Sequence, residues 1–259
     1  MPVLGAGRLR AVAGVNVSLM AMLSNWMQER PYGLISSMLK LWKETNRFHY
    51  RPTKWGDAMT KGEQTRRQIV EKAAPLFNRK GYEGTSLSDL MNVTGLQKGG
   101  IYRHFSSKEE LATEAFDYAW QKAVSRSLDG IESSADFIDR LKQMVSNFVE
   151  LRSELVPGGC PLMNTAVEAD DGNAALRARA KKALQSWTDH LSKITADGIR
   201  ENQIDRGVDP RKLSQLIIGT LEGALLISRL QKDRRPLHDA RQHLNDYLER
   251  SVRAKPNRK

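Results

Sequence analysis

The stretch TGLQKGGIYRHFSSKEEL, residues 94–111, places two adjacent glycines among closely spaced basic and aromatic side chains. Residues 97–103 have the length of one short helix, on which Ile101 faces inward while Gly99 and Gly100 keep the outer face thin. Glycine costs roughly 1 kcal/mol at each position in a helix interior. Two in succession therefore indicate that close approach to another molecule matters more here than helix stability.

Two further helices are predicted immediately upstream of this stretch. The first begins at Thr65 and ends where Gly81 takes the position of a C-terminal cap. The second begins with Ser86 and Asp89, which have capping-box spacing, and stops at Gly95. Two short helices joined by a tight glycine-containing turn form a helix-turn-helix, so the sequence predicts this motif for its second and third helices.

The third helix suits the major groove of DNA. Its exposed positions Gln97 and Lys98 can reach base edges and backbone oxygens. Tyr102, Arg103 and His104 follow at the rim of the motif, where they are placed for phosphate contacts that position a protein without reading sequence. An alternative stays open for Tyr102 and His104, which can instead pack the turn.

A fourth helix is predicted to begin directly after the motif. Ser106 and Ser107 are followed three residues later by Glu109 and Glu110, which is the pattern of a helix start. Lys108 adds a positive charge to the first turn, where the helix dipole disfavours it, and a phosphate partner would explain its position. The alternative is an ordinary solvated lysine.

Residues 76–111 read LFNRKGYEGTSLSDLMNVTGLQKGGIYRHFSSKEEL and combine G-Y-x-x-T-S, a turn glycine, I-Y-x-H-F and S-K-E-x-L. With this combination, residues 65–111 resemble the DNA-binding domain of the TetR family of transcriptional regulators. The resemblance implies that some side chains touch or frame phosphates and that others lie nearest the bases. The residues expected at the DNA are Thr85, Ser86, Gln97, Lys98, Gly99, Gly100, Tyr102, Arg103, His104 and Lys108.

The composition of the whole chain agrees with such a partner. The 259 residues carry a net charge of +11 at pH 7, which favours a polyanion. The single cysteine, Cys160, excludes an internal disulfide framework and is typical of a reducing cytosol. No run of about 18 consecutive apolar residues occurs, and we therefore expect a cytoplasmic protein with no membrane partner.

Residues 1–58 lie outside the resemblance and allow two interpretations. Their apolar residues are spaced for two helical faces separated by Pro31 and Gly33, as in an added helical hairpin. Alternatively, Met59 opens a segment that looks like a natural protein start, and residues 1–58 are then a mis-assigned upstream extension; we favour this second interpretation. A secretory signal is not expected, because polar residues interrupt the early apolar run and no convincing cleavage site follows it.

Apolar residues recur at helical spacing almost everywhere after residue 65, so the fold is expected to be all-α. The rest of the chain is long enough for five or six more helices. The expected organisation is an N-terminal extension (1–58), a three-helix helix-turn-helix DNA-binding domain (59–107), a C-terminal helical ligand-binding and dimerisation domain (108–250) and a basic tail (251–259).

The second domain is expected to contain an effector site. In proteins that resemble this chain, helices four to seven enclose a small-molecule cavity, and binding there needs a mostly apolar pocket with few polar groups. The residues expected to line it are Trp120, Met144, Phe148, Cys160, Met163, Asn164 and Trp187. A purely structural role in the core is the alternative for the aromatic and methionine residues.

Cys160 lies in PGGCPLMNTAVEADDG, residues 157–172, whose glycines and prolines break the chain on both sides of it. A lone cysteine is commonly an inert small hydrophobe. The alternative is a thiol that reacts with electrophiles or oxidants, which requires a depressed pKa. No histidine or basic residue stands close in sequence to lower that pKa.

The last two predicted helices carry apolar stripes that the resemblance assigns to a four-helix dimer interface. Gly219 and Gly223 lie four residues apart on the eighth helix, a spacing that allows another helix to approach closely. A two-fold dimer reads two half-sites about 34 Å apart, or a multiple of that, whereas one recognition helix reads few bases. The expected interface residues are Leu213, Leu216, Ile217, Thr220, Leu221, Ala224, Leu244, Tyr247 and Leu248.

These features predict a ligand-responsive DNA-binding transcriptional regulator, a homodimeric repressor that a small-molecule or electrophile effector releases from its double-stranded DNA operator. No cofactor and no metal are expected. An enzyme is the less favoured alternative, because the sequence shows no nucleophile elbow, phosphate-binding glycine loop, paired metal histidines or Cys-x-x-Cys pair. A sequence-independent architectural DNA-binding protein would explain the charge but not the long apolar second domain.

Overall fold

The structure is a computed structural model that describes residues 60–150 and 157–255. The two interpretations of residues 1–58 lie outside these residues. Within the described ranges the chain forms nine α-helices and no β-strand, which confirms the all-α prediction. The helices are α1 (Lys61–Lys80), α2 (Leu87–Thr94), α3 (Lys98–Tyr102), α4 (Lys108–Ser127), α5 (Phe137–Val149), α6 (Pro161–Ala169), α7 (Ala174–Arg200), α8 (Pro210–Gln231) and α9 (Arg235–Tyr247).

Helix α1 begins four residues before the predicted start at Thr65. The Thr60 hydroxyl accepts a hydrogen bond from the Glu63 amide at 3.2 Å, and the Glu63 carboxylate accepts one from the Thr60 amide at 2.9 Å. This reciprocal pair satisfies two backbone donors that a helix start leaves without partners. Helix α3 is shorter than predicted, because Gln97 is its N-cap and Arg103 its C-cap.

A small apolar core holds the first four helices together. Helix α1 contributes Ile69, α2 contributes Leu90, α3 contributes Ile101, and the α3–α4 connection and α4 contribute Phe105 and Leu111. Each of these side chains is almost completely buried. Burying such a side chain stabilises a fold by about 1.5–3 kcal/mol, so this core fixes the short helix α3 although α3 is too short to be stable alone.

A second and larger core joins α4 to the remaining helices. Phe116 of α4 packs with Leu141 and Val145 of α5, and Leu191 of α7 and Ile217 of α8 complete the same cluster. Helix α4 therefore contributes to both cores, since Leu111 near its start belongs to the first. The boundary expected at residue 107 coincides with the N-cap of α4, Ser107.

Six of the nine side chains predicted at a dimer interface are buried in the chain's own core. They are Leu213, Ile217, Leu221, Ala224, Leu244 and Leu248. The prediction was wrong for these residues because α8 is apolar on two faces, and the sequence pattern does not tell which of them faces the core. Of the predicted residues, Leu216 and Tyr247 are exposed and Thr220 is half-buried.

The exposed face of α8 is apolar as well. Leu216, Leu226 and Ile227 are each 45–49% exposed, and Leu230 is 77% exposed. Among the described residues, α8 is the one helix long and apolar enough to cross a membrane, yet 44% of its most apolar window is buried within the protein. The opposite side of α8 packs in the larger core.

The chain end differs from the predicted basic tail at residues 251–259. Helix α9 continues as a π-helical turn, Leu248–Val252, in which Val252 is buried. Arg253 then forms ion pairs with Asp136 at 2.7 Å and with Glu249 at 2.6 Å. Residues 251–255 are therefore docked on the helical domain. Of the predicted tail, residues 256–259 lie outside the described residues.

Candidate nucleic-acid interface and regulatory cavity

Local hydrogen bonds fix the turn between α2 and α3. Ser86 and Asp89 form the predicted capping box, with bonds of 3.0 and 3.1 Å. Gly95 ends α2 in the left-handed region, with φ +75°. The hydroxyl of Thr94 donates to the Leu90 carbonyl at 2.6 Å and accepts from the amide that follows the turn at 3.3 Å. The orientation of α3 is thus set by short-range contacts.

The outer face of α3 is open. Gln97 and Lys98 are exposed, and neither forms a side-chain hydrogen bond or ion pair with another described residue. A Cβ atom added at Gly99 would meet no atom of the described residues outside its own helix backbone within 4 Å. A Cβ at Gly100 would lie 3.4 Å from the Cβ of Leu96, so Gly100 lies against its own domain. The prediction that both glycines thin the outer face is corrected to Gly99 alone.

The rim of the motif is also exposed. Tyr102 is 38% exposed, Arg103 is exposed and His104 is half-buried. Within the described residues none of the three side chains forms a hydrogen bond or an ion pair. Packing of the turn is done instead by Phe105, which is 1% exposed.

Two predicted DNA residues are engaged within the protein. Thr85 is completely buried, and its hydroxyl donates to the Gly81 carbonyl at 2.6 Å. Its side chain therefore shapes the α1–α2 loop and is not available to a phosphate. Ser86 is exposed, but its hydroxyl belongs to the capping box of Asp89. Lys80, with the Ser86 hydrogen bonds, lowers the pKa of Asp89 to about 2.

Lys108 has a partner inside the protein. Its Nζ lies 4.4 Å from the ring centroid of Tyr82, which is a cation–π distance. Tyr82 in turn stacks on Phe77 of α1, with ring centroids 6.5 Å apart. The unfavourable position of Lys108 in the first turn of α4 is thus offset by an aromatic face, and a phosphate is not needed to explain it. The side chain remains half-buried rather than fully covered.

An ionic network joins α1 to the start of α4. The guanidinium of Arg66 contacts Glu110 at 2.6 Å and Glu114 at 2.5 Å, and it stacks over the Phe105 ring at 4.1 Å. Hydrogen bonds from Ser106, followed by those from Arg66, lower the pKa of Glu110 to about 2. All three ionic side chains are about one-third exposed, so the geometry of this pairing matters more than its Coulomb energy.

A cavity of about 350 Å³ lies in the helical domain, between α4, α5, α7, α8 and the segment that precedes α6. Three of its residues form an aromatic wall: Trp187 packs edge-on against Trp120 at 6.0 Å and stacks on Phe148 at 5.7 Å. Cys160 also lines the cavity. Four of the seven predicted ligand-binding residues are therefore brought together here.

The other three predicted residues do not line this cavity. Met144 is buried in the core, and Met163 packs against the core. Asn164 bonds to the DNA-binding domain, as described below. Sequence reasoning missed a group of polar residues at the cavity, which are Asn147, Arg229, Lys232, Asp233 and Arg234. The charged run at the end of α8 was visible in the sequence, but only the folded chain brings it beside the tryptophans.

The thiol of Cys160 is not activated. Cys160 is buried at the N-cap of α6, and burial followed by the nearby Glu222 carboxyl raises its pKa well above the ordinary value. Thiolate reactivity requires the opposite shift. The structure therefore favours the inert interpretation of Cys160 over the sensor.

Asn78 and Asn164 connect the cavity segment to the DNA-binding domain. The side-chain amide of Asn164, on α6, donates to the backbone carbonyl of Asn78 at 2.9 Å and to the Oδ1 of Asn78 at 3.0 Å. It also donates to the Gly158 carbonyl at 2.9 Å. The side-chain amide of Asn78, on α1, donates to the Pro157 and Gly159 carbonyls at 2.8 and 2.9 Å. We call Asn78, Asn164 and the 157–159 backbone the junction clamp. Gly158 has φ +103°, and a Cβ there would lie 2.7 Å from the Asn78 carbonyl oxygen.

The other end of α6 holds the loop that precedes the helix-turn-helix. The two carboxylate oxygens of Glu168 accept hydrogen bonds from the amides of Tyr82 and Glu83, at 2.8 and 2.9 Å. Charge-assisted bonds of this kind are about twice as strong as neutral ones. Helix α6 is therefore bonded to the DNA-binding domain at both of its ends.

Comparisons with known proteins agree with this architecture. Residues 69–115 match the family model described as "Bacterial regulatory proteins, tetR family", and residues 138–244 match "Tetracyclin repressor-like, C-terminal domain". An HTH-type transcriptional regulator of Mycobacterium tuberculosis is 30% identical over 193 residues, which span 71% of this chain and 93% of that protein. The HTH-type transcriptional repressor DhaR of Mycobacterium sp. strain GP1 is 26% identical and matches 66% of this chain and 86% of its own.

A solved structure of a TetR transcriptional regulator from Chloroflexus aurantiacus is also similar. It shares 41% sequence identity and superposes with a TM-score of 0.73, covering 76% of this chain and all of that one. The chain belongs to the TetR family. It is a DNA-binding transcriptional regulator with an N-terminal helix-turn-helix and a helical C-terminal domain.

Proposed function

We propose that the protein is a homodimeric cytoplasmic repressor that leaves its DNA operator when a small molecule enters the cavity. The observation that carries the proposal is the junction clamp, because it joins the segment that lines the cavity to the first helix of the DNA-binding domain. One site can influence another only if it contacts an element whose position both of them bias. Residues 157–169 are such an element.

The main DNA contacts, Gln97, Lys98, Tyr102 and Arg103, are proposed from exposure and from the absence of competing partners in the described residues. Gln97 and Lys98 would approach the base edges, and Gly99 would allow the backbone of α3 to lie deep in the major groove. Tyr102 and Arg103 would bind phosphates. The remaining proposed contacts are His104, Ser86 and Lys108, of which Ser86 and Lys108 would keep their partners Asp89 and Tyr82 while facing the DNA backbone. Thr85 and Gly100 support the motif from within.

A dimer is proposed through the exposed face of α8. Leu216, Leu226, Ile227 and Leu230 follow one another at helical spacing on that face. A Cβ added at Gly219 or at Gly223 would meet no atom of another described part of the chain within 4 Å, which leaves space for a partner helix. An exposed apolar stripe of this length is typical of a contact with another protein. Tyr247 of α9 lies at the protein surface as well.

The proposed release mechanism uses two of the links between the two domains. An effector that binds against Trp120 on α4 and against the 158–161 segment would shift the elements that carry the Arg66 network and the junction clamp. Such a coupling free energy is typically about 1–3 kcal/mol. The effector must bind the DNA-free conformation more tightly than the DNA-bound one, since equal affinities would shift nothing.

DNA footprinting upstream of the gene that encodes this chain tests the proposal. We expect a protected site with two half-sites about 34 Å apart, or a multiple of that distance. Lys98→Ala should weaken specific binding more than binding to random duplex, whereas the control Lys181→Ala, at an exposed lysine of α7, should leave the ratio unchanged. Equal affinity for specific and random duplexes, with a steep salt dependence, would favour an architectural DNA-binding protein instead.

A further inference from the structure

We infer that the cavity binds an organic anion, with an apolar ring-containing body against the tryptophans and its carboxylate or phosphate at Arg229 and Arg234. The inference rests on the proposed function and names the chemistry of the effector. It follows from four observations: the aromatic wall, the cations at one side of the cavity, the absence of carboxylate partners for them within the described residues, and a hydrogen bond that links one cation to the junction clamp.

The aromatic wall selects the body of the ligand. Trp120, Phe148 and Trp187 present one continuous set of rings, and Leu225 and Leu237 add aliphatic surface to the same cavity. Aromatic side chains prefer ring partners in stacked or edge-on geometry. A cavity of about 350 Å³ lies at the small end of the range for ligand pockets, so it suits a body of one or two rings.

The charged side of the cavity selects the other end of the ligand. Arg229, Lys232 and Arg234 all line it. Among the described residues, none of them forms an ion pair with a carboxylate. Asp233 also lines the cavity, but its carboxylate accepts bonds from the amide and the guanidinium of Arg235, at 2.9 and 2.5 Å. The described residues therefore leave a net positive charge beside an apolar wall.

Both arginines are held by backbone carbonyls, and neither is paired with a carboxylate of the described residues. Arg229 donates to the Gly158 carbonyl, and Arg234 donates to the carbonyl of Val149 at the end of α5. A guanidinium has five N–H donors in a fixed plane, so each arginine keeps donors for a bidentate contact with a carboxylate or phosphate. Such pre-positioned forks favour an anion over a neutral polar group of the same size.

The same aromatic wall, taken alone, would also suit a quaternary ammonium ligand. Cations bind over the faces of tryptophan rings, and two such rings line this cavity. Three cationic side chains on the rim oppose that alternative, because like charges at short range repel in a partly apolar surrounding. The cationic ligand is therefore the competing outcome that the test must separate.

Arg229 also ties the anion site to the junction clamp. The Gly158 carbonyl accepts hydrogen bonds from Arg229 and from the Asn164 amide, which donates at 2.9 Å. An anion bound by Arg229 competes with the Gly158 carbonyl for the guanidinium, and it therefore weakens one of the two hydrogen bonds that hold this carbonyl. The junction clamp on Asn78 then loses part of its support. The Gly158 carbonyl oxygen thus couples the anion site to the first helix of the DNA-binding domain.

Isothermal titration calorimetry on the full chain without DNA tests the inference with four probes that share one body. They are 2-naphthoate, 2-naphthyl phosphate, neutral 2-naphthamide and a naphthylmethyl trimethylammonium cation. We expect at least one of the two anions to bind about tenfold more tightly than the amide, with the cation weakest. The better anion identifies the head group. Equal binding of amide and anions, preferential binding of the cation, or binding of none of the four would overturn the inference.

The variant Arg229→Gln/Arg234→Gln should lose the preference for the anion and keep the affinity for the amide. Arg211→Gln, at the exposed start of α8, removes a charge far from the cavity and should keep the preference. Operator binding by each variant without a probe is measured separately. If the operator is not bound by the unmodified protein, the proposed function fails. If it is bound and the anion preference is missing, only the effector chemistry fails.

Discussion

Replacing Glu222 with glutamine should stabilise the protein above neutral pH. Glu222 lies on the inner side of α8 and is 8% exposed. Its carboxyl group interacts with the Cys160 thiol, a weak donor, and neither oxygen forms a regular hydrogen bond with a described residue. Burial, as the dominant cause, raises the pKa of Glu222 to about 7. A glutamine of the same shape cannot ionise there.

The sign of the effect follows from proton binding. In the unfolded chain the pKa returns to its ordinary value of 4.5. Between pH 4.5 and about 7 the folded state holds the proton and the unfolded state has lost it, so stability falls as the pH rises through this window. One pKa unit corresponds to 1.36 kcal/mol. The shift from 4.5 to about 7 therefore lowers the free energy of unfolding by about 3 kcal/mol at pH 8. Glu222→Gln should recover that free energy at pH 8 and change little at pH 4.5.

His190 works in the opposite direction. Burial, with a smaller effect of Lys193, lowers the pKa of His190 from 6.5 to about 4, and its Nε2 has no hydrogen-bond partner among the described residues. Between pH 4 and 6.5 the unfolded state binds the proton that the folded state refuses, so stability falls as the pH falls. Between about pH 4.5 and 6.5 the effects of the two groups on the pH dependence of the unfolding free energy cancel in the unmodified protein. In Glu222→Gln only the effect of His190 remains, so the stability of this variant should fall as the pH falls through this range.

Urea unfolding at fixed protein concentration, at pH 5, 6, 7 and 8, measures the effect. The concentration must be fixed because association would shift the apparent stability. The difference in unfolding free energy between the unmodified protein and the variant cancels every other titrating group. That difference should grow with pH toward about 3 kcal/mol. Equal stability of the two proteins at pH 8 would refute the assignment of a buried Glu222 carboxyl with a raised pKa.

Three further predictions concern the surfaces on which the function depends. Gly99→Ala should leave stability unchanged or raise it by up to about 1 kcal/mol in a thermal melt, yet weaken operator binding at least about tenfold in a gel shift, because its new methyl group meets only the groove. Gly158→Ala should destabilise the protein by about 2 kcal/mol or more in urea unfolding, since φ is +103° and the added Cβ would strike the backbone of α1. Ile227→Asp with Leu230→Asp should give a monomer in sedimentation and lose specific DNA binding, whereas Val167→Asp, at a site on α6 as exposed as Leu230, should remain a dimer.

The DNA-binding domain was largely predictable from sequence because its structure is set by nearby residues. The Ser86–Asp89 capping box and the left-handed Gly95 lie within ten residues of each other. The missed Thr60–Glu63 box has the same local spacing and could have been found by the same rule. Thr85 was misjudged because the sequence does not show that its side chain is completely buried, with its hydroxyl turned to the Gly81 carbonyl inside the α1–α2 loop.

The regulatory domain was predicted less completely because its contacts are distant in sequence. The spacing of apolar residues showed that α8 is a helix, but two apolar faces cannot be told apart until one is packed, so Leu213 was placed at a dimer interface and Leu230 was not considered. Asn164 was taken for a ligand contact, whereas its partner Asn78 lies 86 residues away. The cationic side of the cavity has the same origin, since α8 ends beside Trp187 only in three dimensions.

The position of residues 157–169 explains how a small ligand can influence a helix-turn-helix that it does not touch. At the start of this segment, Gly158 and Gly159 line the cavity, and the carbonyls of Pro157 and Gly159 accept hydrogen bonds from Asn78 of the first domain. At its end, Glu168 holds the loop before α2. A rigid helix of nine residues therefore separates two sets of hydrogen bonds to one domain. Any movement that breaks the set at Asn78 must pivot α6 about Glu168 or break the Glu168 set as well. Each set comprises a few hydrogen bonds, worth about 1 kcal/mol apiece, which matches the size of coupling that releases a regulator from DNA.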